Sequence, residues 1–282
     1  MTTTSPAVSA GGAANQAVGR TVRFGGLLLA EWTKIRSVRS TVWTLILFVV
    51  LTVGLTAGLT ALVVGSWNNP GSASGEARII VDPVGFILGA GFGLGQLTIC
   101  VLGVLVITSE YSTGVIRASL LAVPRRIPML AAKIVVFAAM VFVLAELVAF
   151  GSFFVGSALL HSKVPVSLSD PGVTRAVVGA GLYLTVLGMF ALGIGALIRH
   201  TAGAIATVIG AVLVLPLLTS FLPGSWGRHV NGYLPQQAGS LIYEAQTHAD
   251  QVLSPWQGFA VFCAWTAVLL GAGAFLLMRR DA

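Results

Sequence analysis

The stretch AVVGAGLYLTVLGMFALGIGALIRHTAGAIATVIGAVLVLPLLTSFL, residues 176–222, decides the fold. Only Arg199 and His200 interrupt its apolar run. One continuous helix of that length would extend about 70 Å at about 1.5 Å per residue, more than twice the roughly 30 Å of a bilayer's hydrocarbon. The pair Arg199–His200 is therefore read as the turn of a tight helical hairpin, with one span at 176–198 and the next at 201–222.

The same test finds four more spans, at 43–65, 84–107, 134–160 and 256–278. Five of the six carry no charge, and the third carries one, Glu146. Composition agrees. Of 282 residues 56% are hydrophobic and 9% charged, and the mean hydropathy is +0.93. A soluble domain averages about 25% charged residues, so a surface this poor in charge belongs in lipid. The expected fold is all-α: six transmembrane helices in a single membrane domain over 20–282. Residues 1–19, rich in Thr, Ser, Ala and Gly, read as a disordered tail. The first long apolar run begins only near Trp43, so no signal peptide is expected.

The cations orient the bundle. With the N-terminus inside, twelve of the 16 Lys and Arg residues lie on inner segments. Arg78, Lys163, Arg175 and Arg228 lie outside. This bias puts both termini on the cytoplasmic side, and thirteen arginines against three lysines, with abundant Ala, Gly and Val, make a bacterial plasma membrane the expected location. The net charge of +7 and the pI near 10.1 are explained by these flanks, and no nucleic-acid partner is called for. Cys100 and Cys263 fall in apolar stretches and read as small buried hydrophobes, not as a disulfide or metal site.

Two inner segments stand out. In 22–42, Phe24, Leu28, Trp32 and Ile35 recur at helical spacing, with Arg23, Glu31, Lys34, Arg36 and Arg39 between them. This fits an amphipathic helix in the membrane interface, with Trp32 at headgroup depth and Lys34, Arg36 and Arg39 meeting anionic lipid. An ordinary positive-inside flank is the plainer alternative. The segment 108–133, TSEYSTGVIRASLLAVPRRIPMLAAK, is a connection long enough for a short helix near 113–123, with breaks at Gly114 and around Pro124 and Pro128.

The strings AEWTKIRSVRSTVWTL (30–45), EYSTGVIRASLLAVPRRIPMLAAK (110–133), YLPQQAG (233–239) and LSPWQGF (253–259) resemble permease subunits of type-2 ATP-binding-cassette (ABC) exporters, most closely actinobacterial ones. The resemblance implies two paired permeases, identical or different, above two separate ATPase subunits. It implies that the segment after span two holds a coupling helix seated in the ATPase, and places Glu110, Tyr111, Gly114, Arg117, Pro124, Arg125 and Arg126 there. It also implies small helices at the outer exit, within 223–255. Val115 departs from the Thr that often follows the glycine in the family. Lipophilic cargo, such as a drug, antibiotic or lipid, suits an apolar path.

No Walker A string occurs, so ATP and Mg are expected on the partner and no cofactor in this chain. The run Gly89, Gly91, Gly93, Gly95 sits in an apolar span with no strand before it; with Gly85 it makes a dense G-x-x-x-G cluster in span two that reads as a close helix–helix seam, whereas some such pairs, Gly54–Gly58 in span one among the candidates, arise by chance among 34 glycines. Glu146, near mid-membrane by helical rise, must be protonated, paired or wetted. Gln96 reaches a similar depth, and a Gln96–Glu146 hydrogen bond is one arrangement. Glu244, His248 and Asp250 read as a solvated face, not a metal site. The rivals to an exporter are a proton-coupled transporter using Glu146, a membrane hydrolase, for which no G-x-S-x-G or H-E-x-x-H string is present, and a non-transporting sensor or scaffold.

Overall fold

A computed structural model of the chain describes residues 24–69, 73–113, 126–246 and 251–279. Among them every regular element is helical. Helix α1 (Phe24–Ser37) is followed by α2 (Arg39–Gly65), the short α3 (Ala73–Val81) and α4 (Pro83–Ser112). After the undescribed 114–125 come α5 (Arg126–Leu160), α6 (Val173–Ile198) and α7 (Thr201–Ser220). Short helices α8 (Gly224–Gly232) and α9 (Pro235–Ser240) precede α10 (Pro255–Arg279).

Six of these, α2, α4, α5, α6, α7 and α10, are long and apolar enough to cross a membrane. The architecture is compatible with a multi-pass membrane protein. Helix α6 is the axis. Of its most apolar window 83% is buried, against 22% in α2, α7 and α10. It packs on α4, α5, α7 and α10, and small residues admit the neighbours. A methyl on Gly188 would press on Phe137 and Ile99, and one on Gly181 would overlap the Glu146 carboxyl.

The Arg199–His200 hairpin is present. Arg199 adopts a left-handed backbone, φ 59°, an unfavourable state for a residue with a Cβ. Its guanidinium makes compensating contacts. It donates to the Leu276 carbonyl at 3.1 Å and lies over the Tyr111 ring at 5.1 Å. His200 then caps α7, its Nδ1 accepting from the Gly203 N–H at 3.2 Å. Midway along, α7 widens into a π-turn at Gly210–Val214. Pro216 is the cause, since it has no N–H to offer four residues back.

The spans are longer at one end than hydropathy alone predicts. Helix α4 continues through Thr108–Ser112, and α5 starts at Arg126. Glu110 and Tyr111 therefore stand on the last turn of a helix, not in a loop, and the connection shortens to the residues after Ser112. Polar helix ends extending past the hydrocarbon account for the difference. The expected helix near 113–123 falls, apart from Thr113, outside the described residues, as do Gly114, Arg117, Pro124 and Arg125. Arg126 opens α5.

The glycine seam is narrower than its motifs. Thr52, Thr56 and Thr60 form a fully buried stripe on α2. Gly91 and Gly95 of α4 lie directly against Thr52 and Thr56, and Thr56 donates to the Ile87 carbonyl at 3.2 Å. Gly54, Gly58, Gly89 and Gly93 face open space, so those pairs do not form the seam. Gly85 instead serves the N-terminus of α4, where Asp82 accepts from its N–H at 2.9 Å and Pro83 holds the first position.

The segment 223–246 does not lie wholly outside the bundle. It folds back into the end away from α1. The Tyr233 carbonyl accepts from the Trp265 indole at 3.2 Å. Ala238, Gly239 and Ile242 are buried between α6 and α10. Tyr243 meets Phe92 and Tyr183 edge-on, with ring centroids 5.6 and 5.3 Å apart. Tyr183 lies ten residues into α6, so the returning segment reaches about 15 Å along that helix. The returning segment is helical over Pro235–Ser240 and Leu241–Tyr243. The helix ends at Tyr243, where Arg175 caps it by donating to the carbonyls of Ile242, Glu244 and Ala245 at 3.4, 2.9 and 3.1 Å.

Candidate functional site

Four charges close a ring at the α1 end of the bundle. Lys34 donates to Glu31 Oε1 at 2.9 Å and to Glu110 Oε1 at 2.6 Å. Lys133 donates to Glu31 Oε2 at 2.6 Å and to Glu110 Oε1 at 2.8 Å. Three separate elements meet here: α1 supplies Glu31 and Lys34, the end of α4 supplies Glu110, and the start of α5 supplies Lys133.

Helical spacing makes the ring. Leu27, Glu31 and Ile35 are the buried stripe of α1, at i, i+4 and i+8. Phe24, Leu29 and Trp32 are exposed. The helix is thus amphipathic in an inverted sense: its inward stripe carries an acid and its outward face carries apolar bulk. Arg36 and Arg39 are exposed, as a lipid-facing role requires. Lys34 departs from that expectation, because two carboxylates hold it inward.

Burial is deep for three of the four. Lys133 is 1% exposed, Glu110 4% and Glu31 5%, whereas the Lys34 side chain is 34% exposed. Burial pushes the Glu31 carboxyl up, but Lys133 and Lys34 outweigh it and hold the group below its ordinary 4.5. For Lys34, burial acts downward and its bonds to Glu110 and Glu31 win, so its pKa lies above 10.5. One acceptor stands apart: Glu110 Oε2 is sealed and has no hydrogen-bond partner.

With two carboxylates and two ammoniums the ring is neutral. No group of three or more metal-ligating side chains occurs among the described residues. What the ring does is mechanical. Separating α1 from α4 and α5 would expose unpaired buried charge, which is expensive. Glu110 lies just before the undescribed segment and Lys133 just after it, so both flanks of 114–125 are tied to α1. Arg199 and Tyr111 extend the junction to α7 and α10, and Thr201 donates to Thr108 at 3.0 Å.

Higher in the bundle, Gln96 and Glu146 do not pair. Gln96, 6% exposed, accepts from the Tyr183 hydroxyl at 2.7 Å. The Glu146 carboxyl packs on Gly181, and neither of its oxygens has a hydrogen-bond partner. Glu244 is bonded by the Gln251 amide, and His248 and Asp250 lie outside the described residues. Cys100 and Cys263 are free thiols.

Sequence reasoning singled out Lys34 and Glu110, but not their relation to Glu31 and Lys133. Nor did it give Tyr183, Arg175 or Tyr243 their contacts. The only available signal was charge at the edge of an apolar run, as at Lys133. No family model matches this chain, and no curated protein matches it.

Proposed function

We propose that this chain is the membrane-spanning subunit of an ATP-driven exporter of the type-2 ABC class, with both termini in the bacterial cytoplasm. The observation that carries the reading is the charge ring tying the flanks of 114–125 to α1. A segment that receives force from a cytoplasmic partner needs such an anchor. The sequence resemblance places the docking contact in this segment, and the cation bias places it inside the cell.

On this reading a separate ATPase binds at 110–126 and supplies the free energy of ATP hydrolysis. Displacement of that segment acts on α4 and α5 together, because Glu110 and Lys133 share one ring. Helix α1 moves with them, and the tilt of the bundle opens a seam toward a second permease copy, through which lipophilic cargo leaves. Pull-down of the tagged chain with a Walker A-bearing ATPase encoded beside it tests the pairing. Changes at Glu110 and Arg117 should weaken docking and ATPase stimulation. Intact stimulation in both variants would refute the assigned role.

A second reading, proton-coupled transport through Glu146, draws on that carboxyl's lack of a hydrogen-bond partner. It predicts uptake or efflux that follows an imposed proton gradient without ATP.

A further inference from the structure

An open cleft of about 260 Å³ lies beside the returning segment, at the end of the bundle away from α1. Helix α8 gives it Arg228 and Asn231, three residues apart and so on one helical face. Gln237 of α9 joins them, and Leu241, Val252 and Leu253 supply apolar walls. Gly232 brings α8 close to 251–253, since a methyl on it would touch Val252 at 3.4 Å.

Three polar groups of this cleft are uncommitted. Arg228 is exposed, and among the described residues its guanidinium has no hydrogen bond or ion pair. Asn231 and Gln237 are half-buried, and their amides are neither bonded among the described residues nor sealed from solvent. The Gln251 amide is already held by Glu244. Arg228 is the one ionisable side chain among the described walls, so the cleft carries a single positive charge. A carboxylate brings one negative charge and matches the planar guanidinium fork. A phosphate monoester brings nearly two, one more than the cleft can balance. Each amide offers two donors and an acceptor, which suits neighbouring hydroxyls, and the apolar walls suit a C–H surface.

We propose that this cleft binds a sugar acid, its carboxylate accepting from Arg228 and its hydroxyls exchanging hydrogen bonds with Asn231 and Gln237. The carbon face of the ring would rest on Leu241, Val252 and Leu253. The volume suits one pyranose ring, since about nine waters of roughly 30 Å³ each would fill the space. A free sugar acid and the end residue of an acidic glycan share this chemistry. The site stands independently of whether the chain exports anything.

The test titrates D-glucuronate into the full chain purified in detergent, with binding followed by calorimetry. D-Glucose keeps the hydroxyls and lacks the carboxylate, and acetate keeps only the carboxylate. Glucuronate should bind saturably, and each of the other two about tenfold more weakly or worse. Arg228→Gln should keep the ligand-free thermal midpoint, because Arg228 is exposed, and should weaken glucuronate about ten- to a hundredfold through loss of a charged donor. Arg228→Lys should restore only part of that affinity, since an ammonium lacks the fork. Asn231→Leu, which removes an amide and leaves the cation, serves the same purpose if Arg228→Gln misfolds. Methyl β-D-glucuronide separates the sources. Retained affinity would support a glycan end as the ligand, and lost affinity would support the free acid. Glucose or acetate binding as tightly as glucuronate overturns the proposal. Absence of saturable glucuronate binding, or undiminished binding in the folded variants, does so too.

Discussion

Lys133 and Glu31, 102 residues apart in sequence, meet at 2.6 Å in a site that leaves Lys133 1% exposed. The contact joins α1 to the start of α5 through groups buried from solvent. Its energetics follow from isolation: a buried pair gives little net stability over an apolar replacement, but half a pair is costly.

Lys133→Met should therefore destabilise by about 3–5 kcal/mol, because Glu31 loses one neighbour and Glu110 another. Lys133→Met combined with Glu31→Gln should recover part of that loss, giving a non-additive cycle in thermal unfolding. Additive effects would mean that the two residues act separately.

The ring also sets a pH window. Glu31 has a lowered pKa, so its contribution is complete above 4.5 and is lost as pH falls through its folded value. Lys34 has a raised pKa, so its contribution is complete below 10.5 and is lost as pH rises through its folded value. Stability attributable to these two groups should be flat between those limits and fall on either side. Glu31→Gln should remove the acid limb and also soften the alkaline one, because Glu31 is one of the two carboxylates that raise the Lys34 pKa, as read from unfolding midpoints across pH.

Gly91→Ala and Gly95→Ala place a methyl into Thr52, at backbone and hydroxyl respectively. Overpacking of this kind costs about 1–3 kcal/mol. Gly89→Ala and Gly93→Ala meet nothing within 4 Å and should be tolerated, or slightly stabilising through higher helix propensity. Unfolding midpoints of the four variants give a direct comparison within one helix.

That contrast shows where sequence reading runs out. Hydropathy located all six long helices and the Arg199–His200 hairpin, because length and apolar character alone determine them. It could not say which glycines of a G-x-x-x-G run face a neighbour, since that depends on the rotation of α4 against α2. Ionic partners were equally hidden: Lys34 finds Glu110 76 positions away, and no local pattern encodes the meeting. Residues 233–243 read as part of an outer connection because they fall between the apolar runs 201–222 and 256–278. Their place in the bundle comes from the fit of Gly239 to Phe262 and of Ala238 to Gly258.

Arg175 supports that returning segment by donating to three carbonyls at its end. Hydrogen bonds from a charged donor contribute about 1.5–3 kcal/mol each at most, and partial solvation reduces the sum here. Arg175→Ala should lower thermal stability and increase proteolysis within 233–246. Arg175→Lys should rescue little, because one ammonium does not reproduce the planar fork that reaches three acceptors. Full rescue by lysine would show that charge alone suffices.

Glu146 makes the opposite prediction for stability. Its carboxyl is enclosed against Gly181 with no hydrogen-bond partner, so it costs folding free energy in the state described. Glu146→Gln keeps the shape and removes the ionisable proton, and should leave folding and assembly intact. Glu146→Leu should be at least as stable as the parent chain. If the acid serves the transport path, both variants lose transport in reconstituted vesicles while thermal stability holds or rises. Parental transport rates in both variants would assign Glu146 a packing role alone, and would remove the observation that favours proton coupling.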